Sequence, residues 1–172
     1  MNPGNPQTDE YGAFYGVYIA KAQGVTDPAA ALETQLAEAM AFFKPLTAAQ
    51  QTHRYAEGKW SIKEMIGHLS DAERIFSYRA LRVARNDKTP LPPFEENSYV
   101  AAAKAEALEW TALLAEFAAA REASVQLFRN LPGEAWTRLG VASGHPISVR
   151  ALAFIMYGHV AHHMAIVRER YL

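Results

Sequence analysis

Residues 61–85 read Ser-Ile-Lys-Glu-Met-Ile-Gly-His-Leu-Ser-Asp-Ala-Glu-Arg-Ile-Phe-Ser-Tyr-Arg-Ala-Leu-Arg-Val-Ala-Arg. Ser61 followed three residues later by Glu64 has the form of a capping box, in which each side chain satisfies a backbone N–H that the first helical turn leaves free. Beyond it Ile62, Met65/Ile66, Leu69, Ala72, Ile75/Phe76 and Arg79 recur at intervals of three and four, placing them on one side of a helix of about 25 residues. His68 lies on that stripe, between Met65 and Ala72, and is expected to face inward. An amphipathic helix of this length needs partners, and the rest of the chain supplies them.

Working outward, Asp27 or Thr26 begins an earlier helix with Pro28 in its first turn. It runs through Leu32, Leu36, Met40 and Phe43 until Pro45 ends or kinks it. Residues 50–59 read as a connection, and residues 9–23 as a short aromatic-rich helix weakened by Gly12 and Gly16. Three prolines within residues 88–97 predict a stiff extended loop. A third long helix is expected from Asn97 or Ser98 until Pro132-Gly133 stops it. After an irregular connection with a hairpin-like or single-turn element, Ser148 caps a last helix reaching almost to the C-terminus. Four long helices without an internal repeat imply an all-α four-helix bundle, one domain over residues 1–172 with residues 1–8 as a flexible tail.

Composition narrows the function. In 172 residues, 17 basic side chains nearly balance 18 acidic ones, which speaks against a nucleic-acid partner. The chain has no cysteine, which excludes disulfides, thiolate-bound zinc and a cysteine nucleophile. Any thiol chemistry must therefore use a thiol brought by a substrate. No apolar run is long enough for a membrane span and the polar start is unlike a signal peptide, so a soluble cytoplasmic protein is expected.

The last helix carries His159, His162 and His163. Positions i and i+4 share a face, with Cβ atoms about 5–6 Å apart, so His159 and His163 are spaced to hold one ion. Their face also carries Leu152, Ile155/Met156 and Ile166/Val167, the inward side. His162 can replace His163 at i+3, although i+4 keeps both rings over one stripe. With His68 from a facing helix the set becomes three imidazoles, which leaves an open coordination position of the kind found in catalytic zinc sites. Imidazole also suits nickel, copper and iron. Asp71 and Glu64 lie one turn from His68 as candidates to orient its ring, Glu64 already being explained by the capping box. Arg79 and Arg82 are candidates to grip a substrate carboxylate or phosphate. The loop from Thr89 to Asn97 is a candidate lid or plain crossover packing, and Tyr11, Phe14, Tyr15 and Tyr18 a candidate pocket wall, bundle cap or dimer contact. His53 and His145 fall in connections and are expected to be solvated.

The helix Trp60–Phe76, the loop Thr-Pro-Leu-Pro-Pro-Phe-Glu-Glu-Asn-Ser-Tyr from Thr89 and the ending Gly-His-Val-Ala-His-His-Met-Ala-Ile-Val-Arg-Glu-Arg-Tyr-Leu from Gly158 resemble the DinB/YfiT-like superfamily, in its DinB_2 branch. The resemblance runs from about Thr26 to the end of the chain, departing mildly where Glu95 stands in place of a frequent Asp. It implies an up-down-down-up bundle with a long crossover and one divalent ion, typically zinc or nickel, on His68, His159 and His163. It also implies a small-molecule substrate, with low-molecular-weight-thiol S-transfer as the expected reaction. Hydrolysis of a small substrate and non-catalytic metal or ligand binding are the alternatives, and a homodimer is an expectation of the same kind.

Overall fold

The computed structural model describes residues 2–172; Met1, the first residue of the expected tail, lies outside the described residues. Seven α-helices are present among them: α1 (Gly16–Lys21), α2 (Pro28–Phe43), α3 (Ala48–Thr52), α4 (Ile62–Ala84), α5 (Glu96–Ala103), α6 (Trp110–Arg129) and α7 (Val149–Arg170). A two-stranded hairpin, β1 (Leu139–Ala142) and β2 (His145–Ser148), precedes α7. The long helices α2, α4, α6 and α7 form the four-helix bundle.

Side-chain pairs across the bundle give the helix directions. Glu33 near the start of α2 pairs with Arg129 at the end of α6, so these two are antiparallel. Arg54, just before α4, joins Glu64 at 2.6 Å and Glu106 at 2.8 Å, and Arg74 joins Glu116 at 2.7 Å, so α4 and α6 run parallel. Tyr171 at the end of α7 donates to the Trp60 carbonyl just before α4, at 2.7 Å, making α4 and α7 antiparallel. The order is up, down, down, up, with the crossover from α4 to α6 carried by residues 85–109.

Helix starts follow their caps. Asp27, Ser61 and Ser148 each accept from the backbone N–H three residues on, and Pro28 occupies the first turn of α2. The expected helix from residue 97 to 131 is instead two helices, interrupted at Lys104, which adopts φ +53°, and by the extended Leu108 and Glu109. Nothing local demands the break, since Ala-Ala-Ala-Lys-Ala-Glu-Ala is strongly helix-forming. Tertiary contacts impose it. Buried Ala105 seats where α4 has Gly67, so that a methyl group at residue 67 would come within 3.3 Å of it. Lys63 meanwhile holds the Glu106 carbonyl at 2.9 Å. Within the expected connection of residues 50–59, α3 extends to Thr52 behind a capping box of Thr47 and Gln50. The aromatic N-terminal segment folds as two short 3-10 turns followed by α1.

The core divides into two apolar clusters stacked along the bundle axis. Where one gives way to the other, the inward positions turn polar: Gln35 on α2, Glu73 on α4, Arg121 on α6 and His159 on α7. Arg121, with no exposed surface, forms a two-pronged ion pair with Glu73 at 2.8 and 2.9 Å and donates to Gln35 at 2.9 Å. Gln35 passes the network on to the Tyr157 carbonyl at 2.8 Å, so one polar layer touches all four long helices.

Candidate metal centre

His68 from α4 and His159 and His163 from α7 meet in a buried group beside this layer. The Nε2 atoms of His68 and His159 are 3.0 Å apart, and those of His163 and His159 are 3.1 Å apart. One ring nitrogen from each residue lies within 4.8 Å of the other two. An imidazole nitrogen carries either one proton or one lone pair, so the His159 Nε2 cannot make good hydrogen bonds to two neighbours at once. Three ring nitrogens aimed at one point fit a shared cation better than they fit one another. Tetrahedral ligands about 2.0–2.1 Å from a zinc ion stand about 3.3 Å apart, close to the two short separations.

The electrostatics suit the same ligand. Burial pushes His68 down to about 4. Burial, and then the mutual repulsion of the imidazoles, holds His159 and His163 well below the ordinary histidine range. All three are neutral at pH 7, and a neutral imidazole is the form that binds metal. The arrangement can hold one divalent ion. His163 Nδ1 is buried without a hydrogen-bond partner, so no carboxylate orients that ring among the described residues.

A cavity of about 500 Å³ opens from the three histidines. Phe14, Tyr15 and Tyr18 line it, together with Phe76 of α4 and Pro93, Phe94 and Glu96 of the crossover. Tyr18 stands edge-on to His159 with ring centres 5.2 Å apart, and Phe76 likewise at 5.9 Å. Burial raises the Tyr18 and Tyr15 phenols above their ordinary values and keeps them protonated. The crossover reaches the cavity because Leu91 pairs with the hairpin, donating to the Val141 carbonyl and accepting from the Ser143 N–H. The hairpin's two-residue turn, Ser143 and Gly144, both at positive φ, brings Ser143 to the same rim.

The remaining candidates separate. Arg79 is buried and lines the cavity, whereas Arg82 is turned to Asp87 and Tyr78. His162 stands beside the trio, its ring 5.3 Å from that of His163, and is half-buried against Tyr18. Asp71 faces Arg74 at 3.9 Å and is not among the cavity-lining residues, and Glu64 is engaged by Arg54 and Ser61. His53 and His145 are exposed. Of the aromatic group, Phe14, Tyr15 and Tyr18 line the cavity while Tyr11 packs against the core.

Glu73, Arg121 and Gln35 are not among the sequence candidates, though a signal for them is present. Arg121 lies four residues from both Phe117 and Val125, a polar residue squarely on a buried stripe, and such a residue needs a partner from another helix.

A family model described as the DinB superfamily matches residues 31–167. Among solved structures, the chain is similar to YfiT from Bacillus subtilis, described as a probable metal-dependent hydrolase with an unusual four-helix bundle topology. The TM-score is 0.72 at 17% identity, over 96% of this chain and 90% of that one, a likeness of fold. Comparison with curated proteins finds no match.

Proposed function

The chain belongs to the DinB superfamily, and on that premise we propose that it is an enzyme using one divalent metal ion, held by His68, His159 and His163, to activate a small-molecule nucleophile. The observation that carries this reading is the convergence of three buried, neutral imidazoles at the floor of an open cavity. A purely structural ion would call for a closed ligand set and no cavity. When bound, the ion supplies a Lewis acid that favours the deprotonated form of a thiol or water in its open position.

The chain's own residues shape what happens there. Phe14, Phe76 and Phe94 give the cavity apolar walls that limit water, and a volume of about 500 Å³ lies within the usual small-molecule range. We favour S-transfer from a low-molecular-weight thiol, with zinc or nickel as the ion. No carboxylate hydrogen-bonds to the three histidines among the described residues, which leaves water activation without an adjacent base. Hydrolysis is the second reading, and Glu96, the one carboxylate among the cavity-lining residues, is the observation that favours it.

The test is turnover by metal-loaded protein with bacillithiol, mycothiol or glutathione and a chromogenic electrophile, beside a chromogenic ester without thiol. Metal-dependent conjugation that His68→Ala abolishes supports thiol transfer. Ester cleavage lost in Glu96→Gln, with no conjugation, shifts the assignment to hydrolysis. Bound metal without either reaction contradicts both.

A further inference from the structure

Two arginines in the described chain are fully buried, and they are treated differently. Arg121 is matched by the Glu73 carboxylate. Arg79, 2% exposed, has no carboxylate within ion-pair distance among the described residues. Its partners are neutral: Nη1 donates to the Tyr15 hydroxyl at 3.2 Å, and Nη2 to the Pro92 carbonyl at 2.7 Å and the Ser143 hydroxyl at 3.2 Å. A guanidinium has five N–H donors, so three are used and two remain. Tying the 3-10 turn that leads into α1, the crossover and the hairpin to α4 explains the three bonds made. It does not explain why the tie is a cation, because a buried charge without a counter-charge is costly.

The position of Arg79 supplies a reason. It lines the same cavity as the three histidines. It follows His68 by eleven residues on α4, about three turns and about 16 Å, which returns it to the same helix face. Between the two ends lie the rings of Phe76 and Tyr15, 6.0 Å apart, and Phe94 sits 5.9 Å from the Arg79 guanidinium. Glu96 also lines the cavity, but it is exposed and beyond ion-pair reach of Arg79.

We propose that Arg79 is the anchor for an oxyanion, a carboxylate or a phosphate, on the small molecule that enters the cavity, with the apolar body of that molecule lying along the aromatic wall. The end nearer the histidines rests on the metal-enzyme reading above; the anchor at Arg79 does not. The substrate class is then an elongated organic anion whose reacting group is remote from its charge. Arg82, already occupied by Asp87, takes no part.

The test compares hexanoate, hexyl phosphate and hexanol, three probes with one chain length, for binding to the metal-loaded protein by calorimetry. At least one of the two anions binds about tenfold or more tightly than hexanol, and which one does so identifies the oxyanion. Arg79→Gln removes that preference and Arg79→Lys, which keeps charge without the planar fork, retains part of it. His68→Ala, with its loss of metal verified, leaves the preference in place. Equal binding of all three probes by the wild type overturns the proposal without recourse to any variant. So does a preference that survives Arg79→Gln but vanishes in His68→Ala, which would put the anion on the metal and leave the metal-enzyme reading intact.

Discussion

Gly158 shows how closely one residue governs the cavity. A Cβ built there would stand 1.9 Å from the Tyr18 carbonyl oxygen, so the backbone of α1 rests directly on α7 at this point. Tyr18 in turn packs its ring against His159, the neighbour of Gly158. Gly158→Ala must push α1 outward, because the obstacle is backbone and not a movable side chain. Overpacking of this kind destabilises by about 1–3 kcal/mol. A lowered midpoint in thermal unfolding checks it, and an unchanged midpoint would mean that α1 shifts freely. Around the same cavity, some residues are legible in the sequence and others are not. The i, i+4 spacing of His159 and His163 and the inward stripe of His68 point to a convergent set, because helix periodicity fixes which face a residue shares, and the family resemblance then names His163 over the adjacent His162. Asp71 is not legible in that way. One turn from His68 is close in sequence, but the rotation turns it to Arg74.

At the scale of elements, caps carry the prediction furthest. Ser61 is fully buried and accepts from the Glu64 N–H while Glu64 accepts from the Ser61 N–H at 2.8 Å. This box fixes where α4 begins and therefore the turn on which His68 sits. Ser61→Ala should lose about 1 kcal/mol, a fall in Tm of about 2–4 °C at this chain length. A change below 1 °C would mean that packing alone sets the start of α4. The boxes at Ser61 and Thr47 have the same sequence form, yet α3 reads as part of a connection, since five residues make no periodic pattern. The break at Lys104 lies further out of reach. It depends on the seat that Gly67 offers Ala105, a contact between different elements that helix propensity cannot register.

At the scale of the whole molecule, the polar layer and the N-terminal clamp hold the bundle together. Removing one partner of a buried ion pair leaves the other charge uncompensated, so Arg121→Met should destabilise by about 3–5 kcal/mol. Because the pair bridges α4 and α6 and its amide relay reaches α2 and α7, loss of cooperativity in denaturant unfolding is expected with it. At the other end, Glu10 accepts from Ser148 and from Arg150 Nε, both at 2.7 Å, and Arg150 also holds the Pro3 carbonyl. Burial pushes the Glu10 carboxyl up, but the bonds from Arg150 and Ser148 outweigh it and leave it below its ordinary value of 4.5. A depressed folded pKa means that the stabilisation is complete above about pH 4.5 and is lost as pH falls through the lower, folded value. Glu10→Gln should therefore be less stable than the wild type at pH 7, with the difference narrowing below pH 4.5. A difference that widens towards acid would reverse the sign and refute the clamp.

The bundle and its polar layer bring His68 to His159 and His163, and the proposed chemistry depends on what those three residues hold. Metal content per chain, by elemental analysis on the wild type and on His68→Ala, His159→Ala, His163→Ala and His162→Ala, decides this. The wild type should retain about one divalent ion per chain, each of the three inward variants should lose it, and His162→Ala should keep it. Full metal occupancy in all three inward variants, or loss in His162→Ala alone, would contradict the site.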